Sequence, residues 1–168
     1  SIGKAIIKAP YHSNMTITIK GKASHAGMAP EKGINAIRVL SEIISQIPQG
    51  RIDEETTANV GIISGGKATN IVPEEAQCQL EVRSIDQKKM LAVEKEIKET
   101  VKKICSQYRA KSTIERTLEY AGFKISPEST VCKITETAMK KIGIKPEFIA
   151  MGGGSDTNII NSSGIKAI

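Results

Sequence analysis

Between Tyr11 and Ala121 the apolar residues switch between two periods. Met15, Ile17 and Ile19 alternate with Thr16, Thr18 and Lys20, the period-two pattern of a strand with one buried face. Ile34, Ile37, Leu40, Ile44 and Ile47 then recur at three and four residues, predicting an amphipathic helix that Pro48 and Gly50 end. Period two returns at Ala58, Val60 and Ile62, which run into Gly65-Gly66. It returns again at Ala76, Cys78, Leu80 and Val82, with Arg83 on the polar face near the strand's end. Asp86 is a suitable N-cap for a second helix whose stripe is Met90, Val93, Ile97, Val101, Ile104 and Tyr108. Ile114, Leu118 and Tyr120 alternate with polar neighbours as a fourth strand. This order predicts an α+β fold of the ferredoxin-like split βαβ type (βαββαβ): a four-stranded antiparallel sheet with two helices on one face.

The flanks read differently. Residues 1–10 carry a short apolar run ended by Ala9-Pro10, a strand leading into a domain junction; residues 11–121 form the predicted βαββαβ domain; residues 122–168 read as an incomplete α/β segment. In that last part Ser126-Pro127 predicts a helix start, and Val131, Ile134, Ala138 and Ile142 continue a helix that Gly143 closes. Phe148 to Met151 predicts a buried strand, Gly152 to Asp156 a tight turn, Thr157 to Asn161 a short helix, and Ile165 to Ile168 the start of another strand. A layer this incomplete should expose apolar surface and self-associate.

Composition narrows the classes. At 39% hydrophobic and 25% charged the chain is an ordinary globular one, with no apolar run near the ~20 residues of a membrane helix. No charged-then-apolar leader opens it, and a cytoplasmic location is expected. The net charge of +6 is interleaved: Lys88, Lys89, Lys95, Lys98, Lys102 and Lys103 share a helix with Glu94, Glu96 and Glu99, predicting a solvated face. With aromatics at 3%, base-stacking platforms are lacking and nucleic acid is not an expected partner. Cys78, Cys105 and Cys132 form no C-x-x-C pair and read as buried, reduced thiols.

Four features could carry chemistry. His25 sits between small residues in the strand-to-helix stretch Gly21 to Ile37, where it could act on a ligand or only hydrogen-bond its own loop. Asn70 before Ile-Val-Pro could form an Asx-turn; Arg83 could be a solvated strand residue. Gly152-Gly153-Gly154-Ser155-Asp156 offers backbone N–H groups to an anion, as many glycine turns do. Glu54-Glu55 and Glu74-Glu75 have no His or Asp ligand set beside them and read as solvated loop charges.

Together these stretches resemble one family. Ala-Ser-His-Ala-Gly with Pro30, Gly33, Asn35 and Ala36, then Gly65-Gly66 with Thr69 to Pro73, then Glu81-Val82-Arg83-Ser84, then Gly153-Gly154-Ser155-Asp156 is similar to the dizinc peptidases of the peptidase T and carboxypeptidase G type, nearest the peptidase T-like branch. The resemblance implies a lid, or dimerisation, domain of ferredoxin-like fold inserted in a catalytic α/β domain. It implies a homodimer in which His25 reaches the partner's active site and stabilises the substrate oxyanion. It implies that Asn70, Arg83, Gly153 and Gly154 bind the short peptide, Arg83 through a peptide carboxylate. It also implies two zinc ions and a zinc-activated water. The family's zinc ligands should lie before Ser1 and beyond Ile168, so no metal is expected at a dedicated site in this chain, and the chain alone should be inactive. Two alternatives remain: an N-acyl amino acid deacylase of the same family, and a non-catalytic ferredoxin-like small-molecule-binding module.

Overall fold

Strand alternation and helical stripes build two sheets and four α-helices in the described residues of the computed structural model, which are 2–168; Ser1, the first residue of the predicted junction, lies outside them. The elements are β1 (Lys4–Ala9), β2 (Tyr11–Lys20), α1 (Ala36–Gln46), β3 (Gly50–Arg51), β4 (Thr56–Gly65), β5 (Glu75–Ser84), α2 (Gln87–Tyr108), β6 (Lys111–Tyr120), β7 (Phe123–Lys124), α3 (Thr130–Lys141), β8 (Glu147–Ala150) and α4 (Asp156–Ser162).

The larger sheet is antiparallel in the order β3-β4-β5-β2-β6. It therefore has five strands rather than the expected four. The extra strand is the two-residue β3, which Gly50 turns back (φ 76°) onto Ala58 and Thr57; two residues are too few to leave a periodicity. Helices α1 and α2 cover one face. Met15, Ile17 and Ile19 of β2 and Cys78, Leu80 and Val82 of β5 meet Val39, Leu40 and Ile43 of α1 and Met90, Ile97 and Ile104 of α2 in one core. Each of the large apolar side chains withdrawn there contributes roughly 1.5–3 kcal/mol. The opposite face is polar and open.

The structure corrects several local expectations. The buried stripe of α1 is Ala36, Val39, Leu40 and Ile43, with Ile47 just beyond, while Ile37 is turned outward. Leu40 and Ile47 of the predicted stripe are buried and Ile34 and Ile44 pack against the same core, so the error is confined to Ile37, in place of Val39 and Ile43. On β4 a bulge between Val60 and Ile62 breaks the alternation, leaving Ile62 and Ile63 each 56% exposed. Glu94 is not on a solvated face: it is 2% exposed, accepting from Ser13 Oγ (2.6 Å) and from Arg116 Nε and Nη2 (both 3.1 Å). Glu75 lies within β5 and pairs with Lys20, so it is not a loop charge. Helix α3 starts at Thr130 with Ser129 as its N-cap, three residues after the predicted Ser126. Residues 163–168 form no strand.

The smaller sheet has the order β7-β1-β8, with β8 parallel and β7 antiparallel to β1. Ile7, Ala9, Phe123, Ile125 and Cys132 form its own small core. Pro10 and the pair Ala121-Gly122 carry the chain between the sheets, and Asn158 of α4, 1% exposed, donates from Nδ2 to the carbonyls of both Pro10 (3.2 Å) and Ala121 (2.8 Å). Ile134, Ile142, Ile159 and Ile165 are exposed. No helix among the described residues is long and apolar enough to cross a membrane.

Candidate functional site

The five predicted site residues fall into two groups at opposite ends of the larger sheet. At the first end β2 passes so close to the α1 approach that a Cβ on Gly21 would lie 2.1 Å from the Ile34 carbonyl oxygen, and Lys22 and Ile34 exchange two backbone hydrogen bonds of 2.9 Å. The loop thus held projects His25. A second loop, between β4 and β5, is laced to it: Ala26 N–H donates to the Asn70 carbonyl (2.9 Å), Val72 N–H to the Ser24 carbonyl (2.9 Å), and His25 forms an antiparallel bridge with Ile71. His25 and Asn70 therefore travel together, both exposed. The ring orientation of His25 is defined by its own loop. Gly27 N–H donates to Nδ1 (3.2 Å), so the neutral ring carries its proton on Nε2, which is left as an outward donor.

At the far end are Arg83, Gly153 and Gly154. Arg83 pairs across the sheet with His12 and Thr57. Its Nε and Nη2 donate to Glu81 Oε1 (3.1 Å) and Oε2 (2.8 Å), and Nη1 lies 3.5 Å from Tyr120 Oη. Those bonds hold the Glu81 carboxyl below the usual carboxylate range, burial opposing, and raise the Arg83 guanidinium in turn. His12 Nε2 is 3.0 Å from Glu81 Oε2 but off the line that a hydrogen bond needs, so the ring abuts the carboxylate without a well-aligned bond. The His12 and Tyr120 rings meet edge to face at 5.1 Å. Tyr120 also explains one glycine: a Cβ on Gly154 would lie 2.2 Å from the Tyr120 ring. The phenol thus joins the glycine turn to Arg83.

Between the groups runs β5. From Glu75 to Arg83 it spans about 26 Å at the usual strand rise. No side chain bridges that length, so one chain does not bring His25 and Arg83 to a common ligand. The sequence reading missed His12, Glu81 and Tyr120 as neighbours of Arg83. Glu81 had a signal, since a strand places residues two apart on one face; Tyr120 had none, because a bulge between His12 and Ser13 turns it out of the alternation of β6. Among the described residues no three His, Cys, Asp or Glu side chains gather as a metal site, and His12 and His25 lie at opposite ends of the sheet. The residues present do not fit a zinc centre.

A sheet with two helices on one face and a histidine loop at its end defines a class, and residues 11–109 match the model of the M20 peptidase dimerisation domain; the chain belongs to that family. Among its relatives is the uncharacterised protein YqjE of Bacillus subtilis, 40% identical over 99% of this chain and 45% of the relative. The solved aminopeptidase PepT of Bacillus cereus is 38% identical with a TM-score of 0.91, over 98% of this chain and 44% of that one. A tripeptidase of Staphylococcus aureus is 35% identical with a TM-score of 0.92, over 97% of this chain and 43% of that one. The chain thus spans less than half the length of these relatives.

Proposed function

We propose that the chain is the lid and dimerisation portion, of ferredoxin-like type, of a cytoplasmic zinc-dependent di- or tripeptidase acting on short peptides, working as a homodimer. In the domain division proposed with it, residues 11–121 are the lid, and residues 1–10 and 122–168 belong to the catalytic α/β domain. The observation that carries this reading is the division of the site residues between the two ends of one sheet. A composite site follows if His25 and Asn70 of one protomer meet Arg83, Gly153 and Gly154 of its partner. In that site the outward Nε2–H of His25 donates to the peptide carbonyl oxygen as it gains charge, Asn70 adds an amide contact, Arg83 takes a peptide carboxylate, and the glycine turn offers N–H groups.

The free edge of β4 supports the pairing. Beyond Ala58 its outer side has no partner strand among the described residues, and it carries the exposed Ile62 and Ile63. A long apolar edge left bare is a template for another strand. β4 runs from the Arg83 end (Thr56 beside Ser84) to the His25 end (Gly65 beside Ala76). Two copies paired antiparallel through this edge bring the His25 end of each toward the Arg83 end of the other, an isologous two-fold arrangement. The zinc ligands belong to the remainder of the longer protein in this reading.

The test is peptide hydrolysis by that longer protein. It should cleave a tripeptide, lose the activity on chelation and regain it with zinc. His25→Ala should lower kcat roughly 100-fold or more, as removal of an oxyanion donor does, while its thermal midpoint stays unchanged. Activity equal to the wild type removes the oxyanion role. Saturable binding of a free amino acid without metal and without hydrolysis favours the small-molecule-binding module instead.

A further inference from the structure

A guanidinium can meet a carboxylate side by side along its Nε/Nη2 edge or at its Nη1/Nη2 end. Here the first edge is already taken. Glu81 Oε1 accepts from Nε at 3.1 Å and Oε2 from Nη2 at 2.8 Å. The other end remains, with Nη1 beside the Tyr120 hydroxyl at 3.5 Å. That hydroxyl lies against the glycine turn, 2.5 Å from where a Gly154 Cβ would stand. The Tyr120 ring is itself set edge to face against His12 at 5.1 Å, and His12 in turn abuts Glu81.

The Glu81–Arg83 pair does little for the fold. Both residues are about a third exposed (34% and 28%), where ion pairs add little stability, and both stand on β5 two residues apart. A bond between neighbours on one strand joins no two elements. What it does restrict is the direction of the guanidinium. We propose that Glu81 is a positioning residue for Arg83: it occupies the Nε/Nη2 edge and so presents the Nη1/Nη2 end, beside Tyr120 and Gly154, to the carboxylate of a bound peptide. This rests on the reading above that Arg83 takes that carboxylate. An arginine held in advance loses less side-chain freedom on binding than a free one, and Glu81 supplies the hold.

The experiment uses the longer protein with its metal, assayed on a tripeptide and on the same tripeptide amidated at its carboxyl end. Glu81→Gln should raise KM for the free acid about tenfold with kcat within about twofold, and leave kcat/KM for the amide unchanged. Arg83→Ala should abolish the preference for acid over amide. The acid-to-amide ratio does not depend on how much of a preparation is folded, so a merely structural effect of Glu81→Gln would lower both substrates alike. If Glu81→Gln keeps the wild-type ratio while Arg83→Ala loses it, the positioning role is overturned and the carboxylate role of Arg83 stands. If Arg83→Ala keeps the ratio, or the wild type shows no preference, the carboxylate reading fails and the positioning role falls with it.

Discussion

Glu94 shows how a single residue departs from its sequence pattern. Standing among lysines on α2 it reads as solvated, yet it is buried beneath the sheet, with Ser13 and Arg116 as its partners from β2 and β6. Helical spacing marks a position one turn from Met90 and Ile97 as inward; it cannot reveal that an arginine in the next strand, β6, will meet the charge. Removing one side of a buried pair leaves the other unsatisfied, and Arg116 at 29% exposed softens that cost. Glu94→Ala should therefore lose about 2–3 kcal/mol in urea unfolding; a change below ~0.5 kcal/mol would mean that the pair is idle. Glu81 behaves differently because it is only partly covered. Arg83 holds its carboxyl below the usual range, so the stability it adds is present above that range and is lost as pH falls through the lowered value. The gap between wild type and Glu81→Gln in urea midpoint should be small, largest near neutral pH, and close on acidification below the usual glutamate range. A gap that widens on acidification contradicts this sign.

At the scale of elements, β2, β5 and α2 were legible because each has one strongly buried face and one polar face. Met15, Ile17 and Ile19 allow only one register, and Asp86 caps α2 by accepting from Lys88 N–H at 2.7 Å, as its position suggested. Elements with apolar residues on two sides were not legible in the same way. Isoleucines flank α1 on both faces, and Gly61 sits at a bulge after which Ile62 stands opposite Gln79 on the open face and Ile63 opposite Cys78, both exposed on this edge strand. Ile62, which broke the expected alternation, and its neighbour Ile63 are the ones the proposed dimer edge uses. Ile62→Glu with Ile63→Lys should convert a dimer to a monomer in sedimentation velocity with little change in helix content. A dimer that survives both charges places the interface elsewhere.

For the whole molecule, the four motifs could be read from the chain, but their separation could not. Loop contacts bind Asn70 to His25, and a phenol from the end of β6 binds Gly154 to the neighbourhood of Arg83; both depend on pairings many residues apart. Motif order along the sequence gives no hint that the second and third motifs, joined by β5, lie about 26 Å apart. In the proposed two-fold dimer that separation becomes a shared site, each protomer offering one half to its partner. Mixing two damaged forms of the longer protein tests this most directly. His25→Ala and Arg83→Ala should each be nearly inactive on a tripeptide below KM. Unfolded, mixed and refolded together in equal amounts, half of the dimers are mixed and one of their two sites is intact, so activity should return to about a quarter of the wild type. A mixture as inactive as either form alone would contradict the shared site and return His25 and Arg83 to separate roles.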